Sequence, residues 1–144
     1  MKFDKNGNLH ETQILTYGEF AKEFGFTESR KEKLESALLF FKILKSLGCT
    51  NLYIAGSFVS SKEFPNDIDL CVDATGIDYL KLTKEYPEFL DPQGIERIKK
   101  EHKVHFALFF DAGCLEYLEW YKKDRDNHPR GLVKIYLNDI NDYD

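Results

Sequence analysis

Hydrophobic spacing divides the chain into alternating helical and extended segments. Thr16-Tyr17-Gly18-Glu19 has the spacing of a capping box, and Phe20, Ala21 and Phe24 follow at helical intervals, which predicts a short helix over 17–24 ending by Gly25. Thr27 can cap a second helix, in which Leu34, Ala37, Leu38, Phe41 and Leu44 make one apolar stripe and Gly48 is placed to terminate it. Asn51 to Ala55 reads as a strand, Ile68, Leu70 and Val72 as the inward side of another, Val104 to Phe110 as a buried strand and Leu132 to Leu137 as a last one. Between them, 76–85, 95–102 and 113–123 read as helices, the last carrying Leu115, Leu118 and Trp120, with 87–94 an irregular connection. Strands and helices thus alternate irregularly.

Composition fits one packed globule. At 144 residues, the chain is the size of one domain, expected to span 1–144, and 42% apolar with 15% aromatic residues is enough to build its core. A net charge of −5 disfavours extended DNA or RNA binding, because such binding needs clustered Lys and Arg. The run Arg97, Lys99, Lys100, Lys103 is diluted by Glu96 and Glu101 and reads as a solvated helix face. Cys49, Cys71 and Cys114 are odd in number and widely spaced, which argues against a disulfide framework or zinc cluster and for reduced, buried thiols. The start Met1-Lys2-Phe3-Asp4-Lys5 has no apolar leader and the longest apolar runs have five residues, so a cytoplasmic protein without membrane association is expected.

The chemistry concentrates in one stretch. Strand 51–55 runs into Gly56-Ser57, where a residue without Cβ and a small hydroxyl let backbone N–H groups approach a phosphate. A helical turn starting there would add the positive end of its dipole, and Lys62 a point charge. Pro65-Asn66 then turns into Asp67-Ile68-Asp69. Alternate residues of a strand share a face, so the Cα atoms of Asp67 and Asp69 would lie about 6.5–7 Å apart with converging carboxylates. Such a pair suits one Mg²⁺, or two ions roughly 3.5–4 Å apart, the arrangement used for in-line attack at phosphorus. Taken alone, an Asp-x-Asp is usually a solvated strand face; its position after strand and Gly-Ser turn is what shifts the balance towards a site.

These residues resemble the nucleotidyltransferase superfamily typified by DNA polymerase beta. A closer resemblance, to a little-characterised bacterial family of small stand-alone members, runs along most of the chain: Phe3-Asp4-x-x-Gly7-x-Leu9, Phe20-x-x-x-Phe24-Gly25, Gly56-Ser57-Phe58-Val59, Lys62, Pro65-Asn66-Asp67-Ile68-Asp69 and Asp124-Arg125-Asp126-x-x-Pro129-Arg130-Gly131. The resemblance implies an α+β fold with a mixed sheet packed against helices. It implies Gly56 and Ser57 on a triphosphate such as ATP, and Asp67 and Asp69 on Mg²⁺ or Mn²⁺. The activity it implies is transfer of a nucleoside monophosphate to a hydroxyl of a protein, a tRNA or a small molecule.

The pattern departs from the superfamily at the third carboxylate, usually supplied by a neighbouring strand. The strand from Val104 has no central acid; His105 as a base and Asp111 at its end are the candidates, although a lone His beside apolar neighbours is more often structural. Arg125 and Arg130 can bind a phosphate bidentately or serve as ion pairs within their own loop, and His128 has no spacing that marks a metal site. The alternative function is a catalytically impaired binding module gripping a nucleotide or partner protein, such as a component of a toxin–antitoxin pair.

Overall fold

A computed structural model describes residues 3–111 and 113–140, without the side chain of Leu115, so the expectations for Leu115 and for the chain start Met1-Lys2 lie outside the described residues. The order is β1 (Gln13–Thr16), α1 (Tyr17–Phe24), α2 (Glu28–Ser46), β2 (Asn51–Ala55), a 3₁₀ turn (Gly56–Val59), β3 (Ile68–Asp73), α3 (Tyr79–Glu85), a second 3₁₀ turn (Pro87–Leu90), α4 (Pro92–His102), β4 (Val104–Phe109), α5 (Gly113–Tyr121) and β5 (Val133–Tyr136). The fold is α+β, a five-stranded mixed sheet in the order β1-β5-β2-β3-β4, packed against helices. The outer pairs β1/β5 and β3/β4 are parallel; β5/β2 and β2/β3 are antiparallel.

Local chemistry explains the helix starts. Thr16 and Glu19 form the expected capping box, Thr27 caps α2 through the Arg30 N–H, and Asp91 caps α4 with Pro92 at the first helical position, where a missing N–H costs nothing. Gly48 (φ +97°) lets the chain leave α2 and turn into β2. Alternation then sorts the strands. Leu52, Ile54, Ile68, Leu70, Val72, Val104, Phe106, Val133 and Ile135 face the larger core with Phe20, Phe24, Phe40, Phe41 and Phe58. Each fully buried ring contributes about 2–3 kcal/mol. On the opposite side α5 covers a smaller cluster of Ala55, Cys71, Cys114, Leu118 and Leu132.

Three expectations are corrected. Strand β1 goes unpredicted, because Gln13-Ile14-Leu15-Thr16 is short and leaves Ile14 63% exposed. Trp120, read with Leu118 among the apolar residues of the 113–123 helix, is 73% exposed, because Leu118 and Tyr121 take the packed side of α5. The second helix buries Phe40 beyond the expected stripe and leaves Leu38 half-buried, because α4 and the Pro87–Leu90 turn pack on it from the side. Among the described residues no helix is long and apolar enough to cross a membrane.

Candidate functional site

The end of β2 and the start of β3 meet at one point. Ala55 pairs with Asp69 across the antiparallel ladder, so the next residue, Gly56, turns directly over the Asp69 carboxylate. Gly56 has φ +76°, in the left-handed region that side chains avoid, and a Cβ there would stand 2.3 Å from Asp69 Oδ2. Both the turn and the carboxylate therefore require a glycine. Ser57 to Val59 complete one 3₁₀ turn, closed by Ser60, whose Oγ (2.6 Å) and N–H (3.2 Å) both donate to the Ser57 carbonyl. A full helix does not start here; the dipole expected of one is limited to this single turn.

Arg30 holds that turn from behind. It is fully buried, yet among the described residues no carboxylate pairs with it; its guanidinium donates to the carbonyls of Phe24 (3.0 Å), Phe58 (2.6 Å), Ser60 (2.7 Å) and Lys62 (2.7 Å from Nη2, 3.1 Å from Nε), with a longer contact to Ser57 (3.5 Å). Its faces lie against Phe26 (4.1 Å) and Phe58 (4.8 Å). Burial lowers it to about 10, so it stays cationic at neutral pH. By gathering the carbonyls of 57–62 inward, it fixes the loop that precedes the acid pair. The N-terminal loop supports the other side: Asp4 Oδ1 accepts the N–H groups of Asn6 and Asn8, Ser61 N–H donates to the Gly7 carbonyl, and buried Asn8 reaches Asp124 Oδ2 (3.0 Å).

Asp67 immediately precedes β3, and Asp69 lies within it. Burial first, and then the Asp67 charge, push the Asp69 carboxyl above the usual carboxylate range, against the opposing effects of His105 and Lys99. His105, opposite Asp69 in the parallel register, places Nδ1 3.3 Å from Asp69 Oδ1. Lys99 of α4 places Nζ 3.9 Å from Asp67 Oδ2. Neither Lys99 nor Arg30 was expected at the site. Lys99 sits in the basic run that reads as a solvated face, and a buried arginine in an amphipathic helix has no sequence mark.

The remaining candidates separate. His105 is brought to the pair; Asp111 lies beyond the end of β4 at Phe109, so alternation does not extend to it, and the four strand steps from His105 to Phe109 already cover about 13 Å along the sheet. Lys62 is exposed at the loop, with its carbonyl on Arg30. Arg125 is exposed in the turn after Asp124. Arg130 donates from Nε to the Tyr121 carbonyl (2.6 Å) and is close enough to Asp69 to feel its charge, while burial lowers it.

The 124–130 loop is organised around Asp124. Asp124 Oδ1 accepts the N–H groups of Asp126 and His128, and Oδ2 meets Asn8 Nδ2 and His128 Nδ1. These bonds hold the Asp124 carboxyl at about 2. Asp124, Asp126 and His128 bring ligand atoms within 4.8 Å of one another, which the spacing of His128 did not reveal. Both Asp124 oxygens already accept hydrogen bonds, and the trio is best described as a loop lock.

Fold and site thus define a small α+β domain with an acid pair beside a glycine-serine turn. The chain belongs to a family of unknown function, DUF6932, whose sequence profile matches residues 1–136. No curated protein and no solved structure matches it.

Proposed function

We propose that this protein is a metal-dependent nucleotidyltransferase of the DNA polymerase beta superfamily, moving a nucleoside monophosphate from a nucleoside triphosphate to a hydroxyl acceptor. The observation that carries this reading is the contact of Gly56 with Asp69, which joins a tight backbone turn to a carboxylate pair. The donor set fits magnesium or manganese. Asp67 and Asp69 offer hard oxygens close enough for one to raise the other, with countercharge from Lys99 and His105, so a divalent cation relieves a repulsion already present. When bound, the ion supplies Lewis-acid stabilisation at phosphorus.

The chain's own groups do the rest. The Gly56-Ser57 turn presents backbone N–H groups to the triphosphate, and Lys62 and Arg130 add positive charge. His105 directs Nδ1 to Asp69, which leaves Nε2 to take the proton from the acceptor hydroxyl as its oxygen attacks the α-phosphorus and pyrophosphate departs. The acidic chain suits a protein side chain, a tRNA end or a small molecule better than long nucleic acid. The three free, buried cysteines suit a cytoplasmic protein.

One observation favours a second reading. A histidine rather than a carboxylate stands opposite Asp69, so the fold can serve as an impaired module that grips a nucleotide or a partner protein, as in a toxin–antitoxin pair. Incubation with α-labelled triphosphates and Mg²⁺, scored for label transfer and pyrophosphate, decides between them. Transfer that is lost in Asp67→Asn/Asp69→Asn with the circular dichroism unchanged supports the enzyme; triphosphate binding without pyrophosphate supports the module. Undiminished transfer by the double variant refutes the site.

A further inference from the structure

We propose that Cys71 and Cys114 form a reversible disulfide that fastens α5 to β3 beside the candidate site. Their Sγ atoms are 2.9 Å apart, both thiols are buried, and they come from different elements 43 positions apart. A disulfide needs about 2.05 Å, so less than about 1 Å of approach closes the bond. Sequence spacing speaks against pairing; the fold overrides it by laying the first turn of α5 on the middle of β3. The third cysteine does not compete. Cys49 belongs to the core on the opposite side of the sheet and donates to the Asn51 carbonyl (3.2 Å).

The bond has something to hold. Helix α5 packs through Cys114 and Leu118 on only three small or medium buried residues, Ala55, Cys71 and Leu132, while the opposite face carries the larger aromatic core. The link would close a loop that includes α3, α4 and β4, and cross-links over long loops restrict the unfolded chain most. At the other end of α5 the Tyr121 carbonyl accepts from Arg130, which senses Asp69, so a fixed α5 fixes the position of that arginine. This last consequence rests on the nucleotide-site reading; the cross-link itself does not.

The oxidant is a small disulfide such as oxidised glutathione. One cysteine attacks it as the thiolate, expelling one glutathione thiol and leaving a mixed disulfide, and the second cysteine sulfur then displaces the other glutathione thiol. The two cysteine protons leave on the released thiols, the protein pair is oxidised, and glutathione disulfide is reduced.

The test is to purify the full chain reduced, equilibrate it with oxidised glutathione, denature it and alkylate it with N-ethylmaleimide. The expected result is a fall from three labels to one, that one on Cys49, with a peptide joined through Cys71 and Cys114, a raised melting temperature, and full reversal by a thiol reductant. Cys71→Ser and Cys114→Ala should each keep two labels. Retention of three labels, a standing glutathione adduct on either cysteine, or a bond to Cys49 overturns the proposal, and the label count of the parent protein alone is decisive if a variant does not fold. A parallel thermal shift with ATP and Mg²⁺ should differ between reduced and oxidised forms. If neither form shifts, the nucleotide reading fails while the label count still judges the disulfide.

Discussion

Replacing Arg30 with Lys tests how the glycine-serine turn is built, because it keeps the charge and removes the fork. Arg30 serves five separate carbonyls and lies between two phenylalanine rings. An ammonium has three donors on one atom and no flat face, so at least two carbonyls lose their partner. Hydrogen bonds to a charged group contribute about 1.5–3 kcal/mol each. Water can reach the half-buried backbone at Ser60 and the exposed Lys62, which offsets part of the loss, so we expect destabilisation of about 3 kcal/mol. For a domain of this size that lowers the melting temperature by roughly 10 °C. Urea unfolding followed by circular dichroism measures it, with hydrogen exchange of the 57–62 amides rising more than that of α2. A variant within about 0.5 kcal/mol of the parent would refute the role assigned to the fork.

Gly56→Ala should cost about 1 kcal/mol for its left-handed backbone and push the Asp69 carboxylate aside, weakening triphosphate affinity roughly tenfold or more in calorimetry; Gly76→Ala, whose Cβ would meet only the Gly48 carbonyl at 3.8 Å, is the control. Asp69 sits above the usual carboxylate range, so folding disfavours its ionised form; that penalty is full above its folded value, shrinks as pH falls below it and is gone below the ordinary carboxylate value near 4. Asp69→Asn should therefore melt no lower than the parent at pH 7 without divalent ions, and the difference should close in acid; a large loss of stability at pH 7 would make Asp69 a structural residue. Asp124 shifts the other way, so its contribution is full above the ordinary carboxylate value near 4 and fades as pH falls through about 2. Melting curves of Asp124→Asn should lie below the parent at pH 5 and converge with it near pH 2.

The elements with strong local signals were legible in the sequence. Thr16 with Glu19, Thr27, Gly48 and the alternation around Ile68 to Val72 state their structure through caps, a left-handed turn and the two-residue strand period. The acid pair and the glycine were legible for the same reason, since their spacing along one strand–turn–strand unit fixes their relative placement. What joins them to distant parts was not. Arg30 acts on carbonyls, which every residue has; Lys99 meets Asp67 only because α4 packs beside β4; and Cys71 meets Cys114 only through the placement of α5. The parallel register of β3 and β4, invisible in either strand, sets His105 opposite Asp69 and sends Asp111 to the far end.

Calorimetric titration with ATP, in Mg²⁺ and again in a chelator, tests the central claim most directly. The account predicts binding to the parent that requires the divalent ion and disappears in Asp67→Asn/Asp69→Asn. Equal binding by the double variant, or none by the parent with any of the four triphosphates, would contradict it.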